Sequence, residues 1–207
     1  MDQNLYKDLH FSIPIYVKDL SNHKHINKKV LKDIIKLNKL NKKGIIRSNS
    51  LGWHSETNLH TKEEYKILFN EIYKMQEEIY KSENYHVDTT PQCEEMWANI
   101  NCKYSYNKEH FHTNSLWSGV YYIKVSENCG NLFLKDPVRI KESKQPILNN
   151  ENNRLNYQWP EIIYTPIEGR LIMFPSWLPH DVGQNMSAKS RVSVSFNFNQ
   201  VWKNENN

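Results

Sequence analysis

Between residues 26 and 40 apolar side chains return every three or four positions, as Ile26, Val30, Leu31, Ile34, Leu37 and Leu40. That is the period of an amphipathic helix, and Gly44 supplies a stop. Tyr65, Leu68, Phe69, Ile72, Met75 and Ile79 form a second stripe of the same kind, opened by Thr61 and Glu64 at the spacing of a capping box. Ahead of both, "FSIPIYV" at 11–17 alternates as a strand does, with Pro14 suggesting a sheet edge. From about residue 93 the pattern changes to short runs rich in Val, Ile, Tyr, Phe and Trp, broken by turn residues: "EMWANINCKYS", "LWSGVYYIKV", "GNLFLKD", "EIIYTPI", "GRLIMFP" and "SRVSVSFNFNQVW". Several short strands with no helical period between them predict a β-sandwich or barrel. The polar stretch 138–158 reads as a long loop. The expectation is a mainly β chain with N-terminal helices, one domain over 1–207, in which residues 1–90 pack on a jelly-roll core at 91–203.

Twelve Tyr, seven Phe and six Trp suit such a packed β protein and argue against disorder. The net charge of +4 comes largely from "NKKVLKDIIKLNKLNKK" at 27–43, where Lys alternates with apolar residues as on a solvated helix face, so no nucleic-acid partner is expected. Cys93, Cys102 and Cys129 are odd in number and lack C-x-x-C pairing, which reads as reduced thiols. No signal pattern or membrane-length apolar run is seen, so a soluble, cytoplasmic protein is expected, with no membrane partner.

The chemistry is concentrated in three places. His110 and His112 stand two apart in "KEHFHTNSLWSGVYYI", and in a strand residues i and i+2 face the same way, so both can aim at one metal ion. The third donor expected is His180 in "FPSWLPHDV", just beyond the run "GRLIMFP". Imidazoles suit iron, zinc, copper and nickel alike, and an H-x-H pair alone is commonly no more than two half-exposed strand histidines. Eleven residues after His180, "SRVSVSFNFN" places Val192, Val194, Phe196 and Phe198 on one face and Arg191, Ser193, Ser195 and Asn197 on the other. Arg191 and Ser193 side by side inside a barrel would make a carboxylate clamp, and a buried Arg without an anionic partner would be costly.

H-x-acid, a distal His and an Arg about ten residues later are the signature of the iron(II)- and 2-oxoglutarate-dependent oxygenases, with R-x-S one of its forms. The chain resembles in particular the 2OG-Fe(II) oxygenase family of marine bacteria and their phages. The resemblance rests on "SNSLGWHS" at 48–55, "MWANIN" at 96–101, "HFHTNSLWSGVYYI" at 110–123, "LFLKDP" at 132–137, and "GRLIMFPSWLPHDV" through "RVSVSFNFN".

That resemblance implies a double-stranded β-helix of cupin-like architecture, with Fe(II) at His110, His112 and His180. It implies 2-oxoglutarate at Arg191 and Ser193, with Tyr122 and Asn99 as further cosubstrate contacts. His112 stands where most members carry an acid, and Asp136, Asp181 and Glu109 are nearby carboxylates that could substitute, Asp181 first. Implied partners are O2 and a small-molecule or peptidyl substrate, for example a prolyl group; a phage gene would place the protein in the host cytoplasm. Two other readings stand beside this one: a three-His cupin-like metalloenzyme that does not use 2-oxoglutarate, and a non-catalytic metal-binding module. His54 in "GWHS" is read as a satisfied structural histidine. A homodimer could form through the edge strand near Pro14 or through the C-terminal strand.

Overall fold

The structure, a computed structural model, describes residues 9–138, 143–150 and 154–203. Helix α1 (His23–Leu40) and helix α2 (Lys66–Ser82) realise the two predicted stripes, and bury Ile26, Val30 and Ile34, and Leu68, Ile72, Met75 and Ile79. Helix α1 ends at Leu40, where Asn41 N–H bonds the Leu37 carbonyl. Gly44 is therefore not its stop. It holds φ +60° where the chain presses against the next segment, and a Cβ there would lie 2.5 Å from the His54 carbonyl oxygen. The expected capping box is also absent. Two 3-10 turns, Leu59–Thr61 and Glu63–Tyr65, precede α2, with Lys62 extended between them. The Thr61 hydroxyl is spent on the Asn58 carbonyl, so it cannot cap α2.

Among the described residues, eleven strands form two antiparallel sheets. The six-stranded sheet runs β1 (Tyr16–Asp19), β9 (Arg170–Pro175), β6 (Trp117–Lys124), β11 (Arg191–Trp202), β4 (Thr89–Asn101) and β3 (Trp53–His54). The five-stranded sheet runs β2 (Asn49–Ser50), β5 (Tyr106–His110), β10 (His180–Val182), β7 (Leu132–Lys135) and β8 (Glu161–Tyr164). This is the predicted jelly roll. β1 lies at a sheet edge, as expected, but it begins only at Tyr16, so most of the run predicted at 11–17 is not strand and Pro14 precedes the ladder. The C-terminal strand does not: β11 is paired with β4 on one side and, through Phe198, with β6 on the other, so over that length it offers no free edge to a second copy. Of the stretch 138–158, residues 139–142 and 151–153 lie outside the described residues, and Asn156–Gln158 form a 3-10 turn.

The helices cover the outer face of the six-stranded sheet. Val192, Val194, Phe196 and Phe198 of β11 join the helix side chains in one core with Met96, Ala98, Tyr121 and Met173. Each Val, Phe and Met among them contributes on the order of 1.5–3 kcal/mol by leaving water. A polar pin fixes α1 to β6: Asn27 donates to the Ile123 carbonyl at 2.7 Å and accepts from the Tyr121 hydroxyl at 2.7 Å. Because the apolar face of β11 is used outside, its polar face looks between the sheets, where Arg191, Ser193 and Asn197 are buried. Residues 49–54 cross from one sheet to the other: Asn49 and Ser50 pair with β5, then Trp53 and His54 pair with β4. That strap, counted with Arg47 and Ser48 that lead into it as residues 47–54, closes one side of the sandwich.

Candidate metal centre

His110 is the last residue of β5 and His180 the first of β10, and they face each other across the ladder. His112 is not on the same strand as His110. The strand ends at His110, and the His112 backbone N–H turns to the Ser176 carbonyl at 2.9 Å, which swings its side chain back to the group. The ring centroids lie 4.3 Å (His110–His180), 5.2 Å (His110–His112) and 5.4 Å (His112–His180) apart. One nitrogen from each can be chosen so that all three lie within 4.8 Å of one another.

Two of the rings are oriented by the same device. His110 Nδ1 donates to the Lys108 carbonyl at 2.7 Å, and His180 Nδ1 donates to the Leu178 carbonyl at 2.9 Å. A carbonyl only accepts, so each Nδ1 carries the proton and each Nε2 keeps its lone pair for a metal. Burial lowers all three pKa values. His180 falls to about 3, chiefly by desolvation, with repulsion from His110 and His112 adding. His112 falls to about 4 by desolvation and the nearness of His110, and His110 is lowered by desolvation against the pull of Lys108 and Asp181. The cluster is thus neutral, unprotonated and ready to ligate in ordinary buffer, a donor set that fits Fe(II).

None of the nearby carboxylates enters the group. Asp181 follows His180 on the strand and therefore points the other way, where its carboxylate meets Lys135 Nζ at 3.2 Å. Asp136 accepts from the Val138 backbone beside a separate small cavity under Trp159. Glu109 reaches only the wall of the main cavity.

That cavity holds about 420 Å³ and is lined by the three histidines at one part and by Arg191, Ser193 and Tyr122 at another. Arg191 is 2 % exposed. Its Nη1 donates to the Cys129 and Gly130 carbonyls, each at 2.8 Å, and among the described residues no carboxylate pairs with it. Burial lowers its pKa, so the site holds a cation under strain of desolvation. Ser193 sits beside Tyr122 across the β11–β6 register, and neither hydroxyl has a hydrogen-bond partner among the described residues. Burial pushes the Tyr122 phenol up to about 12, so it remains a donor. A guanidinium and two free hydroxyls converging in one pocket fit a carboxylate, as 2-oxoglutarate requires. Asn99 lies alongside Ser193, but its amide donates to Ser195 Oγ at 3.2 Å.

The strap adds lining residues that the sequence pattern did not single out. Arg47 and Ser48 line the cavity with His54, which faces inward rather than serving the core. Ser48 Oγ is 3.4 Å from His110 Nε2. Two-residue strands carry no detectable period, so only the histidine itself could have flagged this segment.

Residues 95–197 match the family described as "Putative 2OG-Fe(II) oxygenase". No curated protein matches the sequence. Among solved structures, a Pseudomonas putida prolyl-4-hydroxylase shares 12% identity at a TM-score of 0.60, over 89% of this chain and 91% of that one. The viral collagen prolyl hydroxylase of Paramecium Bursaria Chlorella virus-1, solved with 2-oxoglutarate, shares 14% identity at a TM-score of 0.56, over 89% and 94%. HygX of Streptomyces hygroscopicus, solved with nickel, 2-oxoglutarate and hygromycin B, shares 10% identity at a TM-score of 0.59, over 90% and 83%. The structural likenesses establish the jelly-roll fold, and the family match spans all three histidines and Arg191. On that ground the chain belongs to the 2OG-Fe(II) oxygenases, oxidoreductases that use iron and 2-oxoglutarate.

Proposed function

We propose that this protein is a hydroxylase of a small-molecule or peptidyl substrate, built as a single catalytic domain and working in the cytoplasm. His110, His112 and His180 hold Fe(II), and Arg191, Ser193 and Tyr122 hold the far carboxylate of 2-oxoglutarate. Bound iron and cosubstrate supply oxidation of a C–H bond by O2, coupled to loss of CO2 from 2-oxoglutarate and release of succinate. The chain's own residues do the rest. The Lys108 and Leu178 carbonyls fix two imidazoles in their ligating tautomer. The buried guanidinium orients the cosubstrate by its remote end, and Leu132, Phe174 and Val182 keep water from the reacting centre. Three neutral imidazoles in place of two and a carboxylate leave the centre one unit more positive, which favours a dianionic cosubstrate. Three cysteines, all free, accord with a reducing compartment.

The observation that carries this reading is one cavity shared by a neutral three-imidazole cluster and a buried, uncompensated Arg191. Anaerobic titration of the metal-free protein with Fe(II) and then 2-oxoglutarate tests it. A weak visible charge-transfer band that requires both components is expected, fading in Arg191→Ala and in His112→Ala. Metal binding without such a band would leave a three-His metalloprotein that does not use 2-oxoglutarate.

A further inference from the structure

His54 is buried at 4 % exposure, yet it lines the active cavity instead of the core. Its Nδ1 lies 2.6 Å from the Ser55 carbonyl, which can only accept, so Nδ1 carries the proton and Nε2 is an acceptor. Among the described residues Nε2 meets no hydrogen-bond partner, and it is not sealed from solvent. The ring is held flat against Trp97, 5.4 Å between centroids and 10° between planes, and Trp97 in turn lies 6.0 Å from His112. The imidazole therefore presents one fixed acceptor a single indole away from the histidine cluster. Burial keeps it neutral, and the Arg47 charge adds to that effect against the bond to Ser55.

Arg47 comes from the same strap, and Lys108 lies beside it on β5; both line the cavity. Neither forms an ion pair with a described residue. Glu109 is the one carboxylate among the described lining residues, and it is already engaged. Among the described residues, the lining thus presents Arg47 and Lys108 without ion pairs beside a fixed neutral acceptor. A cavity of about 420 Å³ that must also hold 2-oxoglutarate leaves room for a small molecule or a single residue's side chain, at the low end of the ~300–1,000 Å³ of ligand pockets.

We infer that the strap at 47–54 is the substrate-recognition element: His54 Nε2 accepts an N–H or O–H of the substrate while Arg47 receives its anionic group. The substrate class is a small polar molecule carrying both functions, of which α-amino acids and their N-acyl derivatives are the simplest. His54 is a specificity-determining residue, not a ligand of iron or of 2-oxoglutarate. The inference rests on the oxygenase reading above.

The test uses the full chain, loaded anaerobically with Fe(II) and 2-oxoglutarate. The probes are the L-amino acids, their N-acetyl derivatives and their methyl esters, and binding is read by ligand-observed NMR and by the shift each probe causes in the charge-transfer band. The methyl ester of an acid that binds is expected to bind more weakly than the acid itself, and Arg47→Ala is expected to abolish that difference. His54→Phe, which keeps the stack on Trp97, is expected to weaken the best probe about tenfold with the cosubstrate band unchanged. His54→Gln, which retains an acceptor, restores most of the affinity. A His54→Phe protein that binds as the wild type does overturns the inference, because the acceptor then faces only water. So does a protein with an intact band that binds no member of the panel. A wild type lacking the band removes the oxygenase reading itself, and the two failures are told apart by that signal.

Discussion

His110 and His180 occupy matched positions on neighbouring antiparallel strands, and their rings lie 4.3 Å apart. The ladder that joins β5 to β10 therefore sets the distance between the two imidazoles, the proposed metal ligands. His112 depends on a loop contact instead, its backbone bond to Ser176. Removal of His180 is expected to cost iron affinity more than the ~10–100-fold typical of losing an outer partner of a metal ligand. His112→Asp should retain iron, since a carboxylate at that place still donates to the same point, whereas His112→Ala should not. Metal content after gel filtration distinguishes the three variants. Equal iron retention by His180→Ala and wild type would sink the assignment.

Arg191 is buried with one nitrogen tied to two carbonyls and the rest of its fork turned to the cavity. Its loss should weaken 2-oxoglutarate by roughly 2–5 kcal/mol, the usual cost of truncating one partner of a buried charge pair. Arg191→Lys should recover only part of this, because an ammonium cannot reproduce the two-pronged contact. Iron binding should be unchanged in both. Titrating 2-oxoglutarate into the iron-loaded variants checks the split.

Metal-free protein should be acid-sensitive in a defined window. Unfolded, His112 and His180 take up protons near 6.5, while in the fold they resist until about 4 and about 3. Below pH 6.5 the unfolded chain thus binds more protons, and stability falls as pH drops from about 6.5 toward 4. Above that window these groups add no pH dependence. The melting temperature of the metal-free wild type should fall across it, and less steeply in His112→Phe. Bound iron should raise the curve without moving the pH at which the fall begins, because the unfolded chain still takes up its protons near 6.5. The fall should then run on to lower pH, since metal and proton compete for the same lone pairs. A flat profile in the metal-free wild type would contradict this.

The pin at Asn27 makes a prediction about the scaffold alone. Asn27→Ala leaves the buried Tyr121 hydroxyl and the Ile123 carbonyl without that partner, and should cost about 1–3 kcal/mol. Asn27→Ala combined with Tyr121→Phe should recover part of the loss, measurable by urea unfolding.

Much of the architecture was legible because each periodic segment had one use. The stripe from Ile26 to Leu40 could only be a helix face, and the alternation from Arg191 to Phe198 could only be a strand with two unlike sides. That the polar side was the buried interior followed from Arg191 needing an anion. Strand ends were not legible: H-x-H suggested one strand, yet β5 stops at His110, and no local residue announces the turn that brings His112 back. Thr61 and Glu64 had the spacing of a cap, but two 3-10 turns and an extended Lys62 intervened. His54 sat on a two-residue strand, too short to show which way it faced, and so its place in the cavity emerged only from its pairing with Asn99.

Gly130 ties the clamp to the backbone. It holds φ +88°, a left-handed conformation that L side chains rarely adopt, and its carbonyl accepts from Arg191 at 2.8 Å. A Cβ at that position would stand 2.1 Å from the Gly183 carbonyl oxygen and 2.9 Å from Arg191 Nη1. The first contact is with backbone and cannot be relieved by a rotamer change, so the turn must move, and the carbonyl that anchors Arg191 moves with it. Gly130→Ala should therefore do two things at once: destabilise the fold by about 1–3 kcal/mol through backbone strain, and weaken 2-oxoglutarate while sparing iron. Parallel urea unfolding and 2-oxoglutarate titration of the iron-loaded variant read both effects. A variant less stable but unchanged in cosubstrate affinity would mean that Arg191 keeps its place without Gly130, held by the Cys129 carbonyl alone.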